Sequence, residues 1–316
     1  MPAALIRDPA LAAACLKSGS LVALPTETVY GLGGNALDPQ AAARIFAAKE
    51  RPHFDPLIVH LAELSWLPRV ARDVPPLALR LAEAFWPGPL TLILPRTHSI
   101  PDLVTSGLDT VGVRVPDHSL TREVLRLADL PIAAPSANPF GRLSPTTAQH
   151  VLDQLGARID FVLDGGPCRV GVESTIVRVV GDGLVLLRPG GIPLEDLARF
   201  AARIDRPSTA AETLPTAPGM LPQHYAPRTP VRLRTAGTEW PTGLRVGQLL
   251  LSGSADPRAQ AHVTLSASGN LVEATAGFFQ ALHQLDAAGL DLILAEPFPE
   301  SGLGVALNDR LRRAAN

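Results

Sequence analysis

Lysine is almost missing from this chain: Lys17 and Lys49 are its only two, so arginine carries nearly all the positive charge. Tyrosine is equally scarce, at Tyr30 and Tyr225. Two cysteines, Cys15 and Cys168, lie far apart and outside any CxxC or Cys/His cluster. That argues against a disulfide framework and a zinc site and fits a reduced, cytoplasmic protein. No uncharged apolar run reaches the length of about 18 residues that a membrane-crossing helix needs. Arg7 and Asp8 interrupt the only apolar stretch near the N-terminus, which excludes a secretory signal of the usual form and leaves no reason to expect a membrane partner. A basic surplus is also lacking, since 28 basic side chains face 30 acidic ones. A nucleic-acid-binding domain ordinarily shows such a surplus, so the balance weakens that reading and favours a small-molecule site.

What is present is a chain of 316 residues, 46% hydrophobic and 18% charged, long enough for two domains with a sizeable core. Asp8-Pro9 and Asp38-Pro39 are cap-then-proline signals that open helices over 8–18 and 41–49. Short apolar runs predict strands at 21–25, 57–61, 90–94, 111–115, 132–134, 161–164, 174–180 and 184–188. Further helices are predicted at 75–85, 120–127, 146–155 and 194–204, and the glycine-rich stretch 26–35 reads as a loop. The order mixes strands and helices without strict alternation, so an α/β fold with a twisted mixed sheet and flanking helices is expected over 1–205. Residues 206–230, rich in Pro, Thr and Ala, read as a linker. From 231 to 316 strands and helices alternate regularly, which predicts a smaller C-terminal Rossmann-like parallel α/β domain.

Several strand-to-loop junctions carry polar residues. Pro25-Thr-Glu-Thr-Val-Tyr-Gly-Leu-Gly33 offers the hydroxyls of Thr26, Thr28 and Tyr30, with glycines that let backbone approach a ligand. It matches neither the GxGxxG nor the P-loop pattern. Lys49 and Arg51 stand at a helix C-terminus, where cations are favoured in any case; they also suit a polyphosphate. His60 ends a strand, and Arg114 interrupts an apolar one. A charge there is costly unless paired, so a carboxylate of the protein or of a ligand must meet it. Ser136, Asn138 and Ser144 follow a short strand and suit a nucleotide cradle, although Ser144-Pro145 can also simply cap the next helix. Ser174 and Arg188 sit at further strand ends, and His224-Tyr225 lies inside the linker.

Taken in order, PTETVYGLG, KxRP…PLIVH, GVRVP, PSAN…S, ESTIV…RPGG, the HYAP of the linker and the closing GLGVALNDRLRRAA resemble the YrdC-like family of threonylcarbamoyl-AMP synthases in its long form. The resemblance spans essentially the whole chain. It implies a YrdC-like N-terminal domain and a nucleotidyltransferase that makes threonylcarbamoyl-AMP and pyrophosphate from L-threonine, bicarbonate and ATP with Mg2+. A separate complex would then pass the group to the adenosine beside the anticodon of tRNA, so tight tRNA binding is not required of this chain. It further implies threonine contacts at Thr28, Tyr30, His60, Arg114, Ala134 and Ser174. ATP contacts are implied at Arg51, Asp55, Thr110, Ser136, Asn138, Ser144, Arg188 and Tyr225, with Lys49 and Arg51 as the catalytic cations. No residue is assigned to the metal. Asp55 departs from the family's usual asparagine, and an aspartate would repel a triphosphate unless Mg2+ or a proton intervenes. The linker carrying Tyr225 is expected to act as a lid over the labile carbamate. Two alternatives remain at this level: an RNA-binding module without turnover, and a related carbamoyl-adenylate-forming enzyme.

Overall fold

The computed structural model describes residues 3–206, 217–219, 224–235 and 237–316, so most of the expected 206–230 linker lies outside the described residues. The first part of the chain supplies strands β1 (Ala4–Ile6), β2 (Val22–Leu24), β3 (Gly31–Asn35), β4 (Ile58–His60), β5 (Leu90–Pro95) and β6 (Thr110–Arg114). It continues with β7 (Ile132–Ala133), β8 (Phe161–Leu163), β9 (Thr175–Val180), β10 (Gly183–Arg188) and β11 (Ile204–Asp205). These form one mixed sheet in the order β1-β8-β2-β3-β7-β4-β6-β5-β9-β10-β11. Helices α1 (Pro9–Lys17), α2 (Pro39–Lys49), α3 (Pro76–Phe85), α4 (Asp102–Thr105), α5 (Ser119–Ala128), α6 (Ala148–Leu155) and α7 (Leu194–Leu197) flank it. The caps read from sequence form: Asp8 accepts from the Ala10 amide and Asp38 from the Gln40 amide, each with proline in the first turn.

Two sequence expectations give way here. The stretch 26–35 is not all loop, because Gly31–Asn35 is a strand paired antiparallel with β2. Its glycines answer crowding in the sheet centre rather than a turn. A Cβ on Gly33 would lie 3.0 Å from the Val22 carbonyl, and one on Gly34 3.0 Å from the Ile45 side chain of α2. The helix expected over 194–204 stops at Leu197. Ile204–Asp205 instead pairs parallel with β10, and the Leu184 amide donates to the Arg203 carbonyl at 2.9 Å. Covering the open edge of β10 outweighs continuing the helix.

Residues 231–316 carry their own sheet, with β12 (Val231–Leu233), β13 (Val246–Leu250), β14 (Ala261–Thr264) and β15 (Leu292–Ala295) in the order β12-β15-β13-β14. Every pairing in it is parallel, as expected, but β12, β13 and β14 follow one another without an intervening helix among the described residues, so the alternation is less regular than the sequence suggests. Helices α8 (Leu271–Asp286) and α9 (Gly304–Ala314) accompany it. Its apolar cluster, around Phe278, Phe279 and Leu282, also takes in Val29, Leu143 and Val172 from loops of the larger part. The two parts therefore meet through a continuous apolar contact.

Candidate active site

Parallel strands β4 and β6 set the axis of a cleft. Their register places Ile58 opposite Gly112 and His60 opposite Arg114. Thr110 and Arg114 are four residues apart on β6, hence roughly 13 Å. Arg114 is buried at the C-terminal end. Its Nη2 donates to Glu27 Oε2 at 2.6 Å and its Nη1 to Thr28 Oγ1 at 2.9 Å. Glu27 is thus the protein carboxylate that offsets the charge in this strand. Arg114 Nε has no hydrogen-bond partner among the described residues. The Thr26 hydroxyl donates to the Val29 carbonyl at 2.6 Å, so Thr28, 2.8 Å away, donates to Thr26 and turns lone-pair density toward Arg114. His60 Nδ1 lies 3.3 Å from the Ile58 carbonyl. Burial, reinforced by Arg114, pulls its pKa down to about 3, which keeps the ring neutral.

Cations gather at the other end. Arg51 donates through Nε to the Asp55 carbonyl at 2.9 Å and through Nη2 to the Pro56 carbonyl at 2.8 Å, just before β4. Its guanidinium lies 2.9 Å from Asp55 Oδ2. Burial pushes the Asp55 carboxyl up, against the opposing pull of Arg51, Lys49 and Arg188. Neither Asp55 oxygen accepts a hydrogen bond among the described residues. Arg188 spans the cleft: Nε and Nη2 donate to the Ser174 carbonyl, and Nη1 reaches the Pro218 carbonyl at 3.2 Å. Its Nη2 also meets Ser174 Oγ at 3.1 Å, and Ser174 Oγ lies 2.7 Å from Thr91 Oγ1. Lys49, Arg51 and Arg188 are all buried near Asp55, and a second buried carboxylate, Glu173, stands near Arg188. Such a surplus of buried positive charge suits an anion.

The cleft is narrow and opens to solvent between these strand ends and the loops around them. Of the residues anticipated from sequence, Thr28, Arg51, His60, Arg114, Ala134, Ser136, Ser174, Arg188 and Tyr225 line it together. The others do not line it. The hydroxyl of Tyr30 donates to the Gly166 carbonyl at 2.7 Å and accepts from the Gly165 amide at 3.2 Å, which turns it away from the cleft. Lys49 Nζ donates to the carbonyls of Ser136 and Asn138, at 2.6 and 2.5 Å, and so pins the loop that carries them. Burial lowers its pKa well below the ordinary lysine value. Asn138 Nδ2 donates to the carbonyls of Pro139 and Arg142, leaving Oδ1 without a partner among the described residues. Thr110 opens β6, paired with Pro95. Asp55 lies under Arg51. Ser144 does not cap α6, because Thr147 does so by accepting from the His150 amide; Ser144 instead donates to Glu173 Oε1.

His224, noted in the linker beside Tyr225, also lines the cleft, as do Glu173, Pro218 and Gly219, which were not proposed as site residues. Glu27, buried behind Arg114, was not proposed either. The two glutamates sat inside motifs already singled out, and the need of Arg114 for a carboxylate was their only advance signal. Tyr225 adopts φ +62°, an unusual conformation for an aromatic residue. Its hydroxyl would lie 2.5 Å from a Cβ on Gly219, so glycine is what allows that close approach.

Comparison with known proteins gives a consistent result. The sequence model of the Sua5/YciO/YrdC family, described as "Telomere recombination", matches residues 14–190. A second, described as "Threonylcarbamoyl-AMP synthase, C-terminal domain", matches residues 192–316. The threonylcarbamoyl-AMP synthase of Pyrococcus abyssi is 43% identical over 322 residues, covering 96% of this chain and 93% of that protein. The Bacillus subtilis protein of the same name is 41% identical over 319 residues, covering 97% and 92%. A crystal structure of P. abyssi Sua5 complexed with L-threonine superposes with a TM-score of 0.90 at 40% identity, covering 100% of this chain and 98% of that one.

Proposed function

The chain belongs to the Sua5/YrdC family of threonylcarbamoyl-AMP synthases, in the form with the additional C-terminal domain, and from that premise we propose that it joins L-threonine, bicarbonate and ATP into threonylcarbamoyl-AMP, releasing pyrophosphate. The observation that carries this reading is a single cleft with two separate anion receptors. Arg114, with its unpartnered Nε, sits at one end. Arg51 and Arg188, backed by Lys49, form the other. The first suits the threonine carboxylate and the second the triphosphate of ATP. Bound this way, the threonine amine and the α-phosphate approach each other in mid-cleft.

The chemistry then takes two steps. The amine attacks the carbon of bicarbonate, a C–N bond forms and water leaves, giving a carbamate. A carbamate oxygen attacks the α-phosphorus in line, the bond to the bridging oxygen breaks, and pyrophosphate departs toward the cationic end. Positioning and charge neutralisation supply most of the acceleration in such transfers. His60, neutral and with a pKa of about 3, is a poor proton acceptor, so its work is to orient threonine. Thr28 and Ser174 add hydroxyl contacts beside Arg114 and Arg188. Among the described residues no group of three His, Cys, Asp or Glu side chains could hold a metal. Mg2+ therefore belongs to the scheme as part of the Mg–ATP substrate, with Asp55 the carboxylate set among the phosphate-side cations. Residues 206–230 divide the catalytic part from the small C-terminal part, and their described members 218, 219, 224 and 225 contribute to the cleft wall, as a closing strap would. Among the described residues no helix is long and apolar enough to cross a membrane; the chain works in the cytoplasm and hands its product to a tRNA-modifying complex.

The direct test is pyrophosphate release from Mg–ATP with each substrate omitted in turn. Release that needs both L-threonine and bicarbonate is the expected result. Release indifferent to threonine, or none at all, would overturn the reading.

A further inference from the structure

The closing motif of the sequence, GLGVALNDRLRRAA, ends in the α9 helix of the small part, yet one of its side chains leaves that part altogether. Arg310 is fully buried. Its Nε donates to Glu173 Oε2 at 2.7 Å and its Nη2 to the Pro189 carbonyl at 2.9 Å. The guanidinium lies 4.8 Å from the centre of the Tyr225 ring. One residue back, Asp309 pairs with Nη1 at 2.5 Å. Arg313 of the same helix accepts the His224 amide through its carbonyl at 3.3 Å. Apart from Asp309, these partners are walls of the cleft or neighbours of one: Glu173, His224 and Tyr225 line it, and Pro189 follows Arg188.

We propose that Arg310 is a positioning residue for the ATP half of the site, so that the small C-terminal part completes the active site from behind. Three physical points support this. First, Glu173 is a buried carboxylate in the cleft wall close to Arg188. Burial alone would push it toward the neutral form, but Arg310, Arg188 and the bonds from Ser144 and Arg310 hold it ionised. Without Arg310 that charge would face an incoming polyphosphate largely unbalanced. Second, Tyr225 sits in the left-handed region, at φ +62°, a strained conformation for an aromatic residue that persists only where the surroundings impose it. The cation–π contact above its ring and the hydrogen bond to the preceding amide are such constraints. Third, the two parts are pressed together at this point. A Cβ on Gly171 would fall 2.4 Å from the Thr275 carbonyl of α8, and Val172 packs into the apolar cluster around Phe278. The helix that bears Arg310 is thereby fixed relative to the cleft, which gives the small part a role in catalysis distinct from mere attachment.

This inference rests on the synthase reading, and the experiment separates the two. Calorimetric affinities for L-threonine and for Mg2+ with α,β-methylene-ATP are measured on the full chain, on Arg310→Met and on Arg310→Met/Glu173→Gln, beside a thermal melt and pyrophosphate release by the parent. Arg310→Met is expected to lose at least tenfold in affinity for the nucleotide while keeping threonine affinity within twofold. The double variant, which removes the stranded carboxylate, is expected to bind the nucleotide more tightly than the single one. Nucleotide binding equal to the parent in Arg310→Met would overturn the proposal. So would threonine and nucleotide affinities falling together with the melting temperature and without relief in the double variant, the signature of a purely structural residue. An inactive parent would count against the synthase reading instead.

Discussion

Arg114→Met tests the threonine end most sharply, because stability and binding should come apart. In the parent, Arg114 and Glu27 are both buried and 2.6 Å apart. Removing the guanidinium leaves Glu27 charged in a site that water does not reach. Breaking a buried pair from one side costs about 3–5 kcal/mol. For a folding unit of this size each kcal/mol moves the melting temperature by roughly 2–4 °C, so a fall of about 6–20 °C is expected. Adding Glu27→Gln removes the stranded charge and nearly preserves the volume, so the double variant should recover most of the lost stability. It should not recover threonine. Losing a buried charge-assisted contact costs about 2 kcal/mol or more, a factor of about thirty in affinity. The assay pairs differential scanning calorimetry with isothermal titration of L-threonine for the parent, both single variants and the double. A double variant that binds threonine like the parent would refute Arg114 as the carboxylate receptor. A single variant that melts with the parent would refute the energetic account of the Glu27 pair.

Tyr30→Phe removes the hydroxyl that serves Gly165 and Gly166, so it should cost about 1–3 kcal/mol of stability in urea melts and leave threonine affinity unchanged; a tenfold loss of affinity would return Tyr30 to the substrate. Asp55→Asn removes negative charge from among Lys49, Arg51 and Arg188 and should tighten binding of the ATP analogue about threefold or more. Because burial raises the Asp55 carboxyl, that advantage should shrink as pH falls and the parent's own carboxyl takes a proton; a ratio independent of pH would contradict this. Acid should unfold the protein early. The pKa values of His60, at about 3, and His150, at about 4, lie below the ordinary 6.5, so between those limits the unfolded chain binds protons that the native one refuses. Stability then falls as pH drops from about 6.5, by about 1.4 kcal/mol per pH unit for fully buried His60, and His60→Gln should flatten the slope of the denaturation midpoint against pH.

Much of the architecture could be read in advance where the cause is local. Asp8-Pro9 and Asp38-Pro39 cap helices because a carboxylate two residues before an amide reaches it in any context. The strand-and-helix pattern after residue 231 pointed to a parallel sheet, and every pairing is parallel, although only the β14-to-β15 crossover carries a helix among the described residues. Reading failed where packing overrides propensity. Gly31–Asn35 has loop composition, yet it is a strand because neighbouring backbone and side chains leave no room for a Cβ. The helix expected over 194–204 ends at Leu197, and Ile204–Asp205 pairs with the open edge of β10 instead.

The candidate site divides along the same line. By itself the sequence determined which groups are available: the ordered motifs, the rare lysine and tyrosines set among them, and the requirement that a carboxylate meet Arg114. Only the tertiary structure decided which groups meet. It gave Glu27 to Arg114, committed the buried Tyr30 hydroxyl to Gly166, set Lys49 to hold a loop, and brought Arg310 against Glu173, 137 residues earlier in the chain. Chemistry of a single side chain is written in its residue type, whereas pairing across such separations depends on how sheets and helices pack and on which buried charges that packing leaves to be balanced.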